Sequence, residues 1–379
     1  RGGSRRGSGR RRRRPSAPAP PLAATVPRGA CAPDRLTRPA RRRPLAATAQ
    51  RETAVRIASF NLENLGRRFG DARFFEDRLA ALRPRIARLA ADVYCFQEVD
   101  RVCRAGGGDG RGLDALSALL AGTPAEGFAL VASRNPDTGR TAEQHNLVVA
   151  TRLPVLSSRQ IHHDLVPPAL HRFATARPAP AEPVAIRFDR PILHVCLRAP
   201  DGGTLDVVNV HLKAPVAAAV PGGKLPGGAW GSAAAWAEGF HLAGLKRSGQ
   251  ALEARLLVDR LLDADPDARI VLAGDFNAEE NETPLRIVRA EVEATGNGRL
   301  SGREMVPLEH DLPDHRRHTV IHRGRRTMLD HLLVSRALLP AFRRIEVHNE
   351  TLADETLAFG PGEDIPDSFH APVVAIFEP

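Results

Sequence analysis

Short apolar runs rich in β-forming residues recur along the chain from residue 55 onward, and they constrain the fold more than any other feature. The turn Asp201-Gly202-Gly203 separates two of them and predicts a β-hairpin. Hairpins among the strands favour a mainly antiparallel α+β fold over a doubly wound parallel one. The predicted strands are 55–62, 92–99, 127–133, 145–151, 191–198, 204–212, 269–275, 318–322, 328–335, 343–348 and 372–377, and the predicted helices are 72–90, 111–121 and 248–263.

Two stretches between these elements read as loops. Residues 162–189 are rich in Pro, His and Arg, and residues 214–240 are rich in Gly, Ala and Pro and contain Trp230 and Trp236. Long loops in a compact domain are often functional rims, so both are expected near a binding surface.

Several of the apolar runs end in a carboxylate, amide or imidazole side chain. Each such residue alone is as well explained by a turn cap, a polar strand end or a hydrogen-bonded structural histidine. Together they place the same types of polar group at five separated strand ends. The candidates are Asn61, followed by Glu63 and Asn64; Glu98; Asn209 with His211; Asp275 with Asn277; and Asp330 with His370.

These residue types suit the hydrolysis of a phosphoester. That reaction needs a cation to neutralise the phosphoryl oxygens, a base to activate water, and donors for the charge that develops on the leaving oxygen. Hard cations such as Mg²⁺ take oxygen ligands, usually one or two carboxylates. The five segments together therefore predict a metal-dependent phosphoester hydrolase.

The order of the segments SFNLEN, FQEV, NVHL, GDFN, LDHLLVS and SFHAPVV resembles the endonuclease/exonuclease/phosphatase superfamily. GDFN followed by LDHLLVS is the most specific part. The resemblance covers residues 55–378 and implies one catalytic domain over 55–379. It also implies a four-layer αββα sandwich, in which two mainly antiparallel sheets are flanked by helices.

The resemblance implies roles for the residues on the metal and phosphate side. Glu98 resembles the principal metal-ligand carboxylate, and Asn61 resembles a nearby amide that helps to fix the metal and the phosphate. His211 resembles the histidine that hydrogen-bonds the scissile phosphate. The implied cofactor is Mg²⁺, with Mn²⁺ as the alternative.

The resemblance also implies how water is activated. Asp275 and Asn277 resemble the pair that positions the nucleophilic water and a phosphoryl oxygen. His370, oriented by Asp330, resembles the general base. Weaker candidates for substrate contact are Asn209, Lys213, and Asn146 at the start of the strand HNLVVAT.

One position departs from the family pattern. The last motif normally reads Ser-Asp-His, whereas this chain has Ser368-Phe369-His370. The acidic side chain expected beside the histidine is absent, which should weaken the binding of a hard dication. Asp367 could substitute only if the local backbone is rearranged.

The basic charge of the chain is concentrated in one segment. The formal net charge is +10, but residues 1–53 hold 15 Arg against two acidic residues, a net of +13, so the rest carries −3. Residues 1–54 contain almost no bulky apolar residues and are expected to be disordered. This distribution weakens the argument for a duplex-binding catalytic domain.

Four scattered cysteines without CxxC spacing indicate neither a disulfide framework nor a zinc site. No apolar run is long enough for a membrane span, and no secretion signal is recognisable, which favours the cytoplasm without deciding the location. Oligomeric state has no signal in the sequence.

Among phosphoester substrates, nucleic acid is the first expectation. The alternatives are a phosphatase or phospholipase that acts on a small or lipid substrate, and a catalytically weakened binding protein of the same fold. A further reading is a nucleic-acid-binding protein in which the Arg-rich tail matters most.

Overall fold

The computed structural model describes residues 54–102, 112–135, 137–356 and 366–378. The tail predicted to be disordered, residues 1–54, lies outside these ranges except for its last residue. That prediction therefore stays a prediction.

Two six-stranded sheets form the centre of the described part of the chain. The first has the strand order β15-β16-β1-β2-β4-β3, and the second has the order β11-β14-β10-β9-β8-β5. The strands of the first sheet are β1 (Val55–Leu65), β2 (Val93–Val99), β3 (Ala129–Ala132), β4 (Asn146–Thr151), β15 (Phe342–Val347) and β16 (Val373–Phe377). The strands of the second are β5 (Val155–Ile161), β8 (Ile192–Arg198), β9 (Thr204–His211), β10 (Ile270–Asp275), β11 (Met305–Pro307) and β14 (Asp330–Ser335).

Each sheet contains four antiparallel strand pairs and one parallel pair. The parallel pairs are β1 with β2 and β9 with β10. Parallel neighbours need a crossover connection, and helices α1 (Ala72–Leu89) and α3 (Ala233–Ala264) supply the two crossovers. Within each parallel pair, both carboxyl ends therefore lie at one edge of the sheet.

Three apolar clusters separate four layers. Valines such as Val149 and Val207, one from each sheet, pack together between the sheets. The outer face of the first sheet packs on α1 and on α2 (Asp114–Leu120). The outer face of the second packs on α3 and on α4 (Thr283–Arg289). The predicted four-layer α+β sandwich is confirmed.

Helix α3 corrects the prediction for residues 214–240. The helix was predicted over 248–263, but it begins at Ala233, inside the predicted loop. The Ser232 side chain caps its N-terminus by accepting a hydrogen bond from Ala235 N. Its first half contains glycines, which disfavour helix in isolation. At Gly239 a Cβ would lie 2.4 Å from Ala218 O, so close packing of the preceding loop requires glycine there.

The other predicted loop also contains regular structure. Residues 162–189 include a small hairpin of β6 (Ala169–His171) and β7 (Val184–Ile186). The remaining elements are a hairpin of β12 (Val320–His322) and β13 (Arg325–Thr327), the single turn α5 (Val292–Thr295), and four short 3₁₀ helices at Gly298–Arg303, Leu308–Asp311, Asp314–Arg316 and Arg336–Leu338. No helix in the described ranges is both long enough and apolar enough to cross a membrane.

Candidate active site

Asn61 joins the two sheets at the edge where the parallel strands end. Its Nδ2 donates to Glu98 Oε1 at 3.3 Å and to Asp275 Oδ2 at 3.0 Å. Asn61 lies in the second half of β1, Glu98 is the last residue but one of β2, and Asp275 ends β10 in the other sheet. Three residues from separated segments of the sequence are therefore brought to one point.

Glu98 is held by backbone as well as by Asn61. Its Oε2 accepts from Asn64 N at 3.0 Å, and its side chain is 16% exposed. Glu98 adopts a positive φ of 58°, which is uncommon for a residue other than glycine. The carboxylate is fixed by two donors yet reaches the surface of the cleft.

His211 lies against the same two carboxylates. Its Nε2 is 3.4 Å from Asp275 Oδ2 and 3.7 Å from Glu98 Oε1, and its buried Nδ1 has no hydrogen-bond partner. Burial lowers the pKa of His211 well below its usual value, and the positive charge of Arg190 lowers it further. The imidazole is therefore neutral, and we assign its proton to Nε2, which faces the acceptors.

Asp275 and Asn277 form a tight turn after β10. Asp275 Oδ1 accepts from Asn277 N at 2.8 Å, and Asn277 Nδ2 donates to Asp275 Oδ2 at 3.2 Å. Burial raises the pKa of Asp275 to about 7, and the charge of Asp330 contributes to the rise. At the preceding Gly274 a Cβ would lie 1.9 Å from Val210 O, so only glycine allows strand β10 to approach β9 here.

His370 and Asp330 form a hydrogen-bonded pair. His370 Nδ1 lies 2.8 Å from Asp330 Oδ2, and Asp330 is fully buried. Burial alone would lower the pKa of His370, but the charge and hydrogen bond of Asp330 outweigh it and raise the pKa well above its usual value. The second oxygen, Asp330 Oδ1, is buried and has no hydrogen-bond partner among the described residues.

The pair lies beside the carboxylates of the cleft. One ligand atom from each of Asp275, Asp330 and His370 lies within 4.8 Å of the others, a spacing that suits a metal ion. Asn61 presents its N–H groups to Glu98 and Asp275, while its oxygen accepts from Glu63 N at 2.9 Å. In this placement the Asn61 amide orients the two carboxylates.

Residues 58–351 match the model of the endonuclease/exonuclease/phosphatase family. The chain belongs to this family. Members of the family are generally hydrolases that act on phosphoester bonds, and they typically use divalent metals. The resemblance drawn from the sequence motifs is thereby confirmed. No curated protein matches the chain in sequence.

Solved structures share the fold at low sequence identity. An endonuclease/exonuclease/phosphatase family protein from Bacteroides thetaiotaomicron is 15% identical, with a TM-score of 0.51 over 86% of this chain and 96% of its own. A conserved protein from Enterococcus faecalis V583 is 14% identical, with a TM-score of 0.50 over 86% of this chain and 100% of its own. At these identities the likeness establishes the fold alone.

Two of the substrate candidates serve structure instead. Asn209 is fully buried between the sheets, where its Oδ1 accepts from Gln97 Nε2 at 2.8 Å and its Nδ2 donates to two backbone carbonyls. Asn146 closes a turn, since its Nδ2 donates to Val99 O and its Oδ1 accepts from Ala142 N. Neither amide has a polar atom left for a substrate, because strand alternation points both into the interior.

Lys213 and Asp367 each form an ion pair with a neighbouring residue. Lys213 Nζ is 3.2 Å from Asp189 Oδ2, and its charge helps to lower the pKa of His211. Asp367 forms an ion pair with Arg85, and its Oδ1 accepts from Ser368 N. Asp367 therefore does not replace the acid missing at Phe369.

The sequence analysis missed a chain of hydrogen bonds behind Glu98. Arg190 Nη2 donates to His145 Nδ1 at 2.8 Å, so the proton of the ring lies on Nε2, which donates to Asn64 Oδ1 at 2.8 Å. Burial lowers the pKa of His145, and the charge of Arg190 reinforces the neutral form. Asn64 in turn donates its backbone N–H to Glu98. The sequence signal was the pair His145-Asn146, of which the first residue matters here.

The tryptophans of the predicted rim have different environments. Trp236 stacks on Phe240 at 5.5 Å between ring centroids, and 47% of its surface is exposed. Trp230 is partly buried against the cluster that includes Leu242, with Lys224 Nζ 5.2 Å from its ring. Only the first is available to a substrate or partner.

Proposed function

We propose that the protein is a divalent-metal-dependent phosphoester hydrolase, in the first place a phosphodiesterase of the nuclease type. One observation carries the proposal. Carboxylates from both sheets, Glu98 and Asp275, converge on the Asn61 amide within 3.3 and 3.0 Å, beside a histidine-aspartate pair. A water-activating base next to an anionic oxygen cluster is the arrangement that metal-assisted phosphoester hydrolysis requires.

The donor set fits a hard dication. Glu98 and Asp275 offer oxygen ligands, and Asp330 Oδ1 is a buried oxygen that no donor in the described part of the chain reaches. Mg²⁺ or Mn²⁺ held there would neutralise phosphoryl oxygens and so favour attack by water. A cation would also offset the burial of several carboxylates in one cleft.

His370 is the base in this proposal. Asp330 accepts from Nδ1, which fixes the ring so that Nε2 faces the cleft and takes a proton from water. Asp275 and Asn277 hold that water and a phosphoryl oxygen. Neutral His211 donates from Nε2 to the phosphate, because a low pKa keeps it an uncharged donor at neutral pH.

A small or lipid phosphoester is the second candidate substrate. The charge of −3 outside the Arg-rich tail is unusual for a duplex-binding surface. The exposed pair of Trp236 and Phe240 offers an aromatic surface for a base or an acyl chain.

A hydrolysis panel tests the proposal. Bis(p-nitrophenyl) phosphate, plasmid DNA, RNA, abasic DNA, inositol phosphates and sphingomyelin are each incubated with Mg²⁺, Mn²⁺ or chelator. We expect turnover of at least one substrate with metal and none with chelator. Glu98→Gln and His370→Gln should each lower kcat/KM by about 10²- to 10⁴-fold.

Exposed residues provide matched controls. Glu293→Gln and His315→Gln change the same chemical groups at exposed positions and should retain wild-type rates. Full activity in chelator, or full activity of the Glu98 and His370 variants, would show the proposal to be wrong.

A further inference from the structure

The segment that lacks its expected acid is anchored next to another carboxylate. Phe369 N donates to Glu63 Oε2 at 2.7 Å. One oxygen of Glu63 therefore lies against the backbone of the position where the family pattern has aspartate. Asp367, the other nearby acid, is turned away to Arg85.

The backbone around Glu63 is arranged to bring it there. Glu63 and Asn64 have positive φ values of 47° and 55°, which turn the chain sharply at the end of β1. Buried Arg78 donates to Glu63 O at 3.0 Å and to Asp367 O at 3.4 Å. Ser368 Oγ donates to Asn61 O at 2.8 Å. The two segments are tied together on the cleft side of β1.

Glu63 shares the electrostatic environment of the site. Burial raises the pKa of its carboxyl, which the Phe369 N–H and the charge of His370 oppose. The negative charge of Glu98 adds to the rise. The charge of Arg78, which donates to the Glu63 backbone, also opposes the rise. Among the described residues, the hydrogen-bond donor to the Glu63 carboxylate is the Phe369 backbone N–H and not a charged side chain.

A second observation points to a cation in this cleft. Asp330 is fully buried, and within the described ranges its Oδ1 has no hydrogen-bond partner, although its other oxygen binds His370. An unpaired buried anionic oxygen is costly unless a positive group faces it. The cleft therefore has a place for positive charge beyond its own histidine.

Resting on the proposed function, we propose that Glu63 supplies the anionic group on the metal side of the site that Phe369 cannot supply. The family pattern has the acidic residue directly before the histidine, whereas in this chain it lies near the end of β1. The hydrogen bond from Phe369 N holds the Glu63 carboxylate in that position. Glu63 would then act on the divalent cation directly or through one bound water.

The alternative role for Glu63 is a purely structural anchor of residues 367–370. Glu63→Gln separates the two roles, because glutamine keeps an oxygen that accepts from Phe369 N but removes the charge. An anchor predicts unchanged affinity for the metal. A metal-side carboxylate predicts weaker binding by about tenfold or more.

The test measures Mn²⁺ binding to the full chain without substrate, by electron paramagnetic resonance of the free ion. We expect Glu63→Gln to raise the Kd for Mn²⁺ about tenfold or more. Phe369→Asp in the Glu63→Gln background should restore much of the loss. Glu293→Gln, an exposed matched change, should bind as wild type.

Thermal melting supplies a readout that does not depend on affinity alone. In chelator, Glu63→Gln should melt at or above the wild-type temperature, because it removes a charge that burial disfavours. In saturating Mn²⁺ its rise in melting temperature should be smaller than that of wild type. A loss of stability in chelator with an unchanged Mn²⁺-induced rise would identify an anchor and overturn the proposal.

Glu98→Gln distinguishes this inference from the proposed function. If Glu98→Gln weakens Mn²⁺ binding and Glu63→Gln does not, the role of Glu63 is refuted while the hydrolase proposal stands. If the wild-type chain binds no Mn²⁺ and hydrolyses substrate in chelator, the metal-dependent function itself fails, and the inference fails with it.

Discussion

The pair of His370 and Asp330 gives the most direct test of how the site activates water. The variant Asp330→Asn keeps the size of the side chain but removes the charge that accepts from His370 Nδ1 at 2.8 Å. A hydrogen bond to a charged partner contributes about 1.5–3 kcal/mol, roughly twice a neutral one. A loss of about 1.4 kcal/mol corresponds to a fall of about one unit in the pKa of His370.

The direction of the pH effect follows from the role of a base. His370 must be unprotonated to act, and its pKa is raised in the native site, so wild-type activity should increase as pH rises through that pKa. Asp330→Asn should move this acid limb to lower pH. The pKa of Asp275, about 7, is also raised partly by Asp330 and should shift in the same direction.

The plateau value of kcat/KM in the pH profile should also fall in Asp330→Asn. Without the carboxylate, the ring loses its fixed tautomer and the imidazolium that forms is less stabilised. The plateau of kcat/KM should drop by about 10²- to 10⁴-fold. The assay is kcat/KM for bis(p-nitrophenyl) phosphate across the neutral pH range in saturating Mn²⁺, with the exposed Asp314→Asn as control. An unchanged plateau, or an acid limb moved to higher pH, would refute the reasoning.

Three further outcomes are expected. Asn209→Ala should lower the free energy of unfolding by about 2–4 kcal/mol in urea, because it removes buried hydrogen bonds to Gln97 and to two backbone carbonyls, and a changed KM with unchanged stability would contradict its structural assignment. Chelator should abolish hydrolysis, and added Mg²⁺ or Mn²⁺ should restore it; activity that survives dialysis against chelator argues against a metal. Burial would lower the pKa of His331, but the charge and hydrogen bond of Glu309 outweigh burial and raise it. The pair therefore stabilises the fold fully below about pH 6.5, and its contribution decreases as pH rises through the raised pKa of His331. Glu309→Gln should therefore destabilise by about 3–5 kcal/mol at acid pH and by less at alkaline pH, and a pH-independent loss would be inconsistent with this account.

The residues at strand ends could be located from the sequence because one physical rule governs them. An apolar strand such as β10 must be buried, and the polar residue at its end, Asp275, lies at the edge of the sheet. Two parallel pairs place such edges together, so Glu98 and Asp275 meet although they are 177 positions apart in the sequence. This rule does not locate His370 and Asp330, because Asp330 begins β14 and His370 precedes β16. Their pairing was predicted from the family resemblance.

The rest could not be predicted because side-chain direction is decided by packing. Asn209 and His211 lie two positions apart on one strand and share a face, yet the first is bonded within the core while the second reaches the cleft. Arg190 and His145 are hydrogen-bonded although they lie 45 positions apart, and the polar pair His145-Asn146 in the sequence does not reveal which residue His145 bonds to. In the first half of α3, Gly239 allows close contact with the preceding loop, although glycine disfavours helix by propensity alone.

Backbone strain concentrates where the polar groups converge. Among the described residues, ten other than glycine have positive φ, and five of these are at the site, namely Glu63, Asn64, Glu98, His145 and Asn277. Each such conformation costs on the order of 1–2 kcal/mol, so the site opposes the stability of the fold. Strain of this kind persists only where the surrounding structure stabilises it. Here the stabilising contacts are hydrogen bonds that backbone N–H groups donate to carboxylates, from Asn64 to Glu98 and from Phe369 to Glu63. A carboxylate fixed by its own strained backbone needs no reorganisation when a cation arrives, which is why the position of Glu63 matters as much as its charge.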